Sequence, residues 1–232
     1  MNAILECKQL SKRYGSVQAL DAVDLTVEPG RVVGLLGPNG SGKTTLIKLA
    51  NGLLTPTGGE ILIDGKKPGP ETKSIVSYLP DRQYLPEWMS VKQAMDLFED
   101  FYADFDRARA EEMLARLGIG EKMCIRQMSK GTREKAQLIL VMSRRARLYL
   151  LDEPIGGVDP ATRDYILDTI IRNYEPEASV VISTHLISDV EQVLDDVIFI
   201  NGGRVVLQSS VDEIREAHGM SVDAYFREVF KC

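Results

Sequence analysis

From residue 3 to residue 36 the chain reads as short β-type runs, interrupted at Gly15 and at Pro29-Gly30. The last of these runs, Val32-Val33-Gly34-Leu35-Leu36, is apolar without alternation and predicts a short buried strand. A glycine-rich stretch follows. Beyond it Leu46, Ile47, Leu49, Ala50, Leu53 and Leu54 recur at helical spacing and predict one buried helix face. Residues 60–64 return to a β pattern after a break at Gly58-Gly59, and Gly65 ends it. Residues 66–74, with Lys66-Lys67-Pro68-Gly69-Pro70, predict a surface loop. Ile75 to Leu79 predicts a strand ended by Pro80.

The pattern then turns helical. Ser90-Val91-Lys92-Gln93 has the form of a capping box. Val91, Ala94, Met95, Phe98, Phe101 and Tyr102 follow at helical spacing. Asp106 is placed to cap a second helix with Ala110, Met113, Leu114 and Leu117 on one face, ended by Gly118. Residues 81–132 thus predict a helical insertion. Strand patterns resume at Leu148–Leu151 and Val180–Ser183. Asn201-Gly202 between Val197–Ile200 and Val205–Leu207 predicts a hairpin. Residues 208–232 alternate charged and apolar positions, which predicts a packed terminal helix. Strands alternating with helices make the chain α/β with a mainly parallel sheet.

Composition narrows the classes. The 232 residues suffice for one sizeable core with room for a subdomain. The formal net charge of -6 argues against non-specific nucleic-acid binding, which needs a basic footprint. No apolar run approaches a membrane span, and the first residues lack the basic and long apolar regions of a signal peptide. Cys7, Cys124 and Cys232 show neither metal spacing nor a disulfide framework, so a reducing cytoplasm fits best. The two histidines, His185 and His218, exclude an all-histidine metal site; His218 lies on a charged stretch and reads as solvated.

The chemistry concentrates in Gly37-Pro38-Asn39-Gly40-Ser41-Gly42-Lys43-Thr44-Thr45, which fits G-x-x-x-x-G-K-[ST]. A predicted strand precedes it and a predicted helix follows. Its glycines let consecutive backbone N–H groups turn inward, and the helix N-terminus favours an anion. Lys43 is placed to reach the β- and γ-phosphates of a nucleotide, and the Thr44 hydroxyl to hold Mg²⁺. Leu148-Tyr149-Leu150-Leu151-Asp152-Glu153 is an apolar strand ending in two carboxylates. In an open α/β sheet that end is where ligands bind. Asp152 is a candidate for Mg²⁺, and Glu153 for orienting or deprotonating an attacking water.

With these motifs in order, the chain resembles the nucleotide-binding subunit of ATP-binding cassette (ABC) transporters over nearly its whole length. The resemblance implies a P-loop NTPase (RecA-like) core with a mainly parallel sheet, an N-terminal antiparallel β-subdomain and an inserted α-helical subdomain. As a single ABC domain over 1–232, it divides into core and β-subdomain (1–80 and 133–207), helical subdomain (81–132) and helical tail (208–232). Tyr14 matches the aromatic that stacks on adenine. Ser129-Lys130-Gly131-Thr132, after Met128, stands where the family has its LSGGQ signature. There Ser129 and Gly131 would meet the γ-phosphate of ATP held by a second subunit. Ile155-Gly156-Gly157-Val158-Asp159 matches the D-loop, with Asp159 at the contact between two nucleotide sites, and His185 matches the switch histidine.

Two positions depart from the family. Asp81 stands where glutamine is usual, and would serve Mg²⁺ with an added charge and shorter reach; Gln83, two residues later, would take that place if the loop were shifted. In the signature, Lys130 replaces the first glycine of the pair and Thr132 the glutamine. The lysine either adds an attractive charge near phosphate or obstructs close backbone approach with its Cβ. The resemblance implies an ATPase using ATP and Mg²⁺, paired as a homodimer or heterodimer with a second nucleotide-binding subunit. It would energise a separate transmembrane permease subunit from the inner face of the membrane, docked through 81–132 and the Asp81 loop. The competing expectation is a soluble non-transport relative, such as an iron–sulfur assembly factor. A small-molecule P-loop kinase would not account for signature, D-loop and switch histidine together.

Overall fold

The computed structural model describes residues 3–230, so that Met1, Asn2, Lys231 and Cys232, the third cysteine among them, lie outside it. The chain turns at Gly15, and β1 (Leu5–Tyr14) pairs antiparallel with β2 (Val17–Val27). Then come β3 (Val32–Leu36), α1 (Lys43–Ala50) and β4 (Gly58–Ile63), which adds antiparallel to the other edge of β1. Gly58 and Gly59, expected as a break, lie inside β4. The loop expected at 66–74 contains a short helix, α2 (Pro70–Lys73), followed by β5 (Val76–Leu79).

The helical section holds α3 (Val91–Phe101), α4 (Arg107–Arg116), a 3₁₀ turn at Ile125–Gln127 and α5 (Lys130–Met142). Ser90 accepts from the Gln93 N–H, Gln93 Oε1 accepts from the Ser90 N–H, and Asp106 caps α4, as the sequence predicts. The remainder alternates: β6 (Leu148–Asp152), α6 (Pro160–Asn173), β7 (Ser179–Thr184), α7 (Ile187–Val190), β8 (Asp196–Asn201) and β9 (Arg204–Ser210). The terminal segment is two helices rather than one, α8 (Val211–His218) and α9 (Val222–Phe230), because Gly219 caps α8 in the left-handed conformation. His218 is not merely solvated; its ring stacks on Tyr225 with centroids 4.1 Å apart.

The central sheet has the order β5-β6-β7-β3-β8-β9, parallel except for β9. Strands β3, β6 and β7 are buried at every residue, since helices or the second sheet cover both faces. On one face lie α1 and the three-stranded sheet, packed through Leu46, Ile47 and Leu49. On the other lie α5, α6 and the terminal helices. A separate apolar cluster closes α3 and α4 around Met95, Phe98 and Leu114. The line expected between residues 132 and 133 falls inside α5. That helix gives Leu138, Val141 and Met142 to the sheet cluster, and Ala136, Ile139 and Leu140 to the helical one.

Two expected core residues are exposed. Leu53 lies beyond the end of α1 and is 56% exposed, and Phe101 at the end of α3 is 74% exposed. In both cases the apolar period runs on past the turn that is covered.

Register decides what the sheet presents. Leu36 pairs with Thr184, Asp152 with Ser183 and Leu79 with Leu151. The carboxyl ends of β3, β5, β6 and β7 therefore come level at one edge, where Gly37, Glu153 and His185 follow directly and Asp81 follows after Pro80.

Candidate functional site

Gly37 leaves β3 pressed against β8. A Cβ here would lie 2.2 Å from the Ile200 carbonyl oxygen, a separation that backbone does not tolerate, so this turn requires glycine. The loop then rises through Asn39, Gly40 and Ser41 and enters α1 at Lys43. Lys43 is only 5% exposed. Its ammonium donates to the Gly37 carbonyl at 2.7 Å and the Pro38 carbonyl at 3.2 Å, and stands 3.4 Å from Glu153 Oε1. Gly37 and Pro38 thus hold the lysine from beneath, while residues 39–45 line an open cleft of about 610 Å³. Asp81, Glu153, Gly156, Gly157 and His185 form its far wall.

Beneath the cleft, Asp152 is 1% exposed. Its Oδ1 accepts from Ser183 Oγ at 2.6 Å and from Thr44 Oγ1 at 3.1 Å, and its Oδ2 is buried with no partner. Burial raises the Asp152 carboxyl above the usual carboxylate range. The two hydroxyls oppose that rise, and the nearby Asp81 and Glu153 charges add to it. Glu153 sits at φ 50°, a left-handed conformation uncommon for a side-chain-bearing residue, with its N–H on the Ser183 carbonyl. This turn sends its carboxylate away from the sheet, between Lys43 and His185. His185 Nδ1 lies 3.1 Å from Glu153 Oε2.

The structure separates the other expected residues from this cluster. Tyr14 is 45% exposed and outside the cleft lining, with the Lys12 ammonium 5.3 Å from its ring centroid. Val17, its cross-strand partner, lines the rim instead, with Gln18 and Ala19. Ser129 caps α5 by accepting from the Thr132 N–H, and pairs with the Thr132 hydroxyl at 2.8 Å. Asp159 caps α6, and its two bonds from Thr162 hold its carboxyl below the usual range. Gly131 stands beside Thr162 and Asp159 at the seam of α5 and α6, and none of Ser129, Gly131 and Asp159 lines the cleft. Gln83 is bonded to Arg133 and to the Leu85 carbonyl and does not line the cleft; Asp81 does.

Sequence reasoning missed Ser183 as a partner of Asp152. The signal was present: a serine in the fully apolar run of β7, whose hydroxyl must find a partner when buried. The rim residues Val17 to Ala19 carry no such signal.

The ABC transporter family model matches residues 20–156, more than half the chain. An ABC transporter ATP-binding protein of Bacillus subtilis, YtrB, is 33% identical over 93% of this chain and 75% of its own length. The daunorubicin resistance ATP-binding protein of Streptomyces coeruleorubidus is 32% identical over 94% and 72%. A solved ATP-binding subunit of an ABC transporter superposes with a TM-score of 0.86 at 30% identity, covering 98% of this chain and 99% of that one. A dimeric cassette in a post-hydrolysis state, bound to ADP and Pi, shares the fold at a TM-score of 0.78 and 22% identity, over 89% and 98%. A glycine loop clamped on a buried lysine at the carboxyl edge of a parallel sheet, an overall likeness spanning almost every residue, and relatives of this one kind agree: the chain belongs to the ABC transporter family, as an ATP-binding, ATP-hydrolysing subunit.

Proposed function

We propose that the cleft takes ATP with Mg²⁺, that two such subunits close around two nucleotides, and that the closure drives a separate membrane permease. The observation that carries the metal is Asp152. An ionised carboxylate this buried needs compensation, yet Oδ2 has none, and the Thr44 hydroxyl stands beside it. Such a donor set fits Mg²⁺, which keeps few protein ligands and takes the rest from water and phosphate. Thr44 and Asp152 would hold it, with Asp81, whose charge acts on Asp152, as a further candidate on the cleft wall. When bound, the ion offsets charge on the β- and γ-phosphate oxygens.

The chain's own residues supply the remainder. Lys43 leaves Glu153 for the β- and γ-phosphates, while the Gly37 and Pro38 carbonyls keep its stem in place. The N–H groups of residues 39–45 surround the phosphates. Glu153 Oε accepts a proton from water as the water oxygen bonds to the γ-phosphorus. The bond from that phosphorus to the bridging oxygen breaks, and ADP leaves with the oxygen. His185, beside Glu153 Oε2, orients that carboxylate and donates to the γ-phosphate. Ser129 and Gly131 meet the nucleotide of the second subunit, and Asp159 lies at the subunit contact. That none of the three lines the cleft of their own chain supports that arrangement. Tyr14, exposed outside the rim that its strand partner Val17 lines, would turn onto adenine once nucleotide enters.

Permease docking is supported by an apolar groove of about 390 Å³ between the Asp81 loop and α3, rimmed by Leu53, Leu97 and Phe101. Such exposed apolar patches mark interaction surfaces. Among the described residues no helix is long and apolar enough to cross a membrane. Attachment to the inner face would therefore run through the permease. Relatives named for daunorubicin resistance and for Nod factor export favour transport over iron–sulfur assembly.

Light scattering on Glu153→Gln protein, with and without ATP–Mg²⁺, tests the composite site. The expected outcome is a nucleotide-dependent shift from monomer to dimer. A mass that stays monomeric at saturating ATP refutes the homodimer.

A further inference from the structure

We propose that Lys130 is a positioning residue that ties the N-terminus of α5 to the loop carrying Glu153; this rests on the reading of Glu153 as the carboxylate that activates water. Lys130 is the first residue of α5, directly after the Ser129 cap. A cation there opposes the helix dipole, whose positive end is the N-terminus. Places where a local rule is broken are where function is to be sought. Its ammonium does not stand free. It donates to the Gly157 carbonyl at 2.9 Å, with the Glu134 carboxylate Oε1 at 3.8 Å as its acidic neighbour.

Gly157 sits directly under the Lys130 ammonium. It sits at φ +70°, and a Cβ on it would stand 2.9 Å from the Lys130 ammonium. A second contact lies on the same seam: a Cβ on Gly131 would reach Thr162 Oγ1 at 3.3 Å, and Thr162 is held by Asp159. The starts of α5 and α6 therefore meet closely, and Lys130 bridges α5 to the loop that precedes α6.

From the gripped carbonyl the chain runs back to Glu153 in a single turn. The Gly156 N–H donates to the Glu153 carbonyl at 3.0 Å, and Glu153 itself is in the left-handed conformation. A shift of α5 would move Gly157 and alter the angle at which Glu153 faces Lys43 and His185. In a closed dimer α5 meets the partner's nucleotide. Lys130 then relays the occupancy of that site to the carboxylate of its own. A glycine at position 130 has no group to do this.

The test compares Lys130→Met, which keeps the aliphatic stem, with Lys130→Arg, which keeps a donor of similar reach. Three quantities are measured on the full chain: amide hydrogen exchange at Ile155 to Val158, steady-state ATPase kinetics, and ADP affinity by calorimetry. In Lys130→Met, exchange should quicken and kcat fall, each by about three- to tenfold, the scale of one exposed hydrogen bond. KM and ADP affinity should stay unchanged, and Lys130→Arg should restore both losses. Unchanged exchange in Lys130→Met overturns the proposal alone. So does a loss expressed in KM with exchange intact, which would put Lys130 on phosphate. Near-normal turnover by Glu153→Gln removes the reading of Glu153, and the proposal with it.

Discussion

Asp152 lies under the cleft with one carboxylate oxygen bonded twice and the other not at all. Because burial raises its pKa, the folded state holds its proton more tightly than the unfolded state does. The penalty of the charge is therefore fully present above the folded-state pKa and disappears as pH falls below the unfolded value. Asp152→Asn should raise the melting temperature of nucleotide-free protein by about 2–4 °C, on the order of 1 kcal/mol. It should also abolish the further rise that ATP–Mg²⁺ produces in wild type, as thermal denaturation would show. Lys43 poses the opposite case. It is the buried cation facing Glu153, so Lys43→Ala should remove measurable ATP binding in calorimetry and leave Glu153 without a cation on its Oε1 side. Unchanged affinity would reject its phosphate role. Cys7, 2% exposed in β1, has its thiol pushed far up by burial and by the Asp24 and Glu6 charges. It should resist alkylation in the native state, while the half-buried Cys124 reacts before it. At this scale much of the candidate site was legible: Lys43, Thr44, Asp152 and Glu153 stand in motifs whose spacing points to the chemistry, and His185 follows from the family resemblance. Ser183 was overlooked because its role depends on a pairing across two strands distant in sequence.

Helices and turns carry their own boundary signals. Ser90 and Gln93 close both halves of the capping box, and Asp106 and Ser210 cap α4 and α8 as their side-chain chemistry dictates. Ser90→Ala should cost about 1 kcal/mol and lower the melting temperature by about 2–4 °C. A denaturation scan showing no change would mean that α3 is held by packing alone. Periodicity reads less well at helix ends. Leu53 and Phe101 continue the apolar spacing of their helices, yet both stand at the groove between the core and α3. A pattern reports which residues share a face, not whether anything covers it.

At the scale of the molecule, the helical section is fastened to the sheet by Arg144. This guanidinium is 1% exposed and is bonded to Asp104, to the Ser74 carbonyl and to the Val76 carbonyl, with the Tyr102 ring 3.8 Å away. Arg144→Met would leave Asp104 and the carbonyls unpaired. The expected cost is about 3 kcal/mol, with hydrogen exchange rising in α3 and α4 before the central strands. Uniform exchange across both parts would show that Arg144 is not the fastening. The amino-acid pattern alone determined the phosphate loop, the strands that flank it, the acidic end of β6 and the helical insertion, because each is a local run whose side chains specify its backbone. Only the tertiary structure decided that Asp152 meets Ser183, that Tyr14 stands outside the cleft while Val17 lines it, and that Lys130 reaches Gly157. Those contacts depend on strand register and on how helices pack across the sheet. They are set by the burial of many apolar residues at once, which no short stretch of sequence contains.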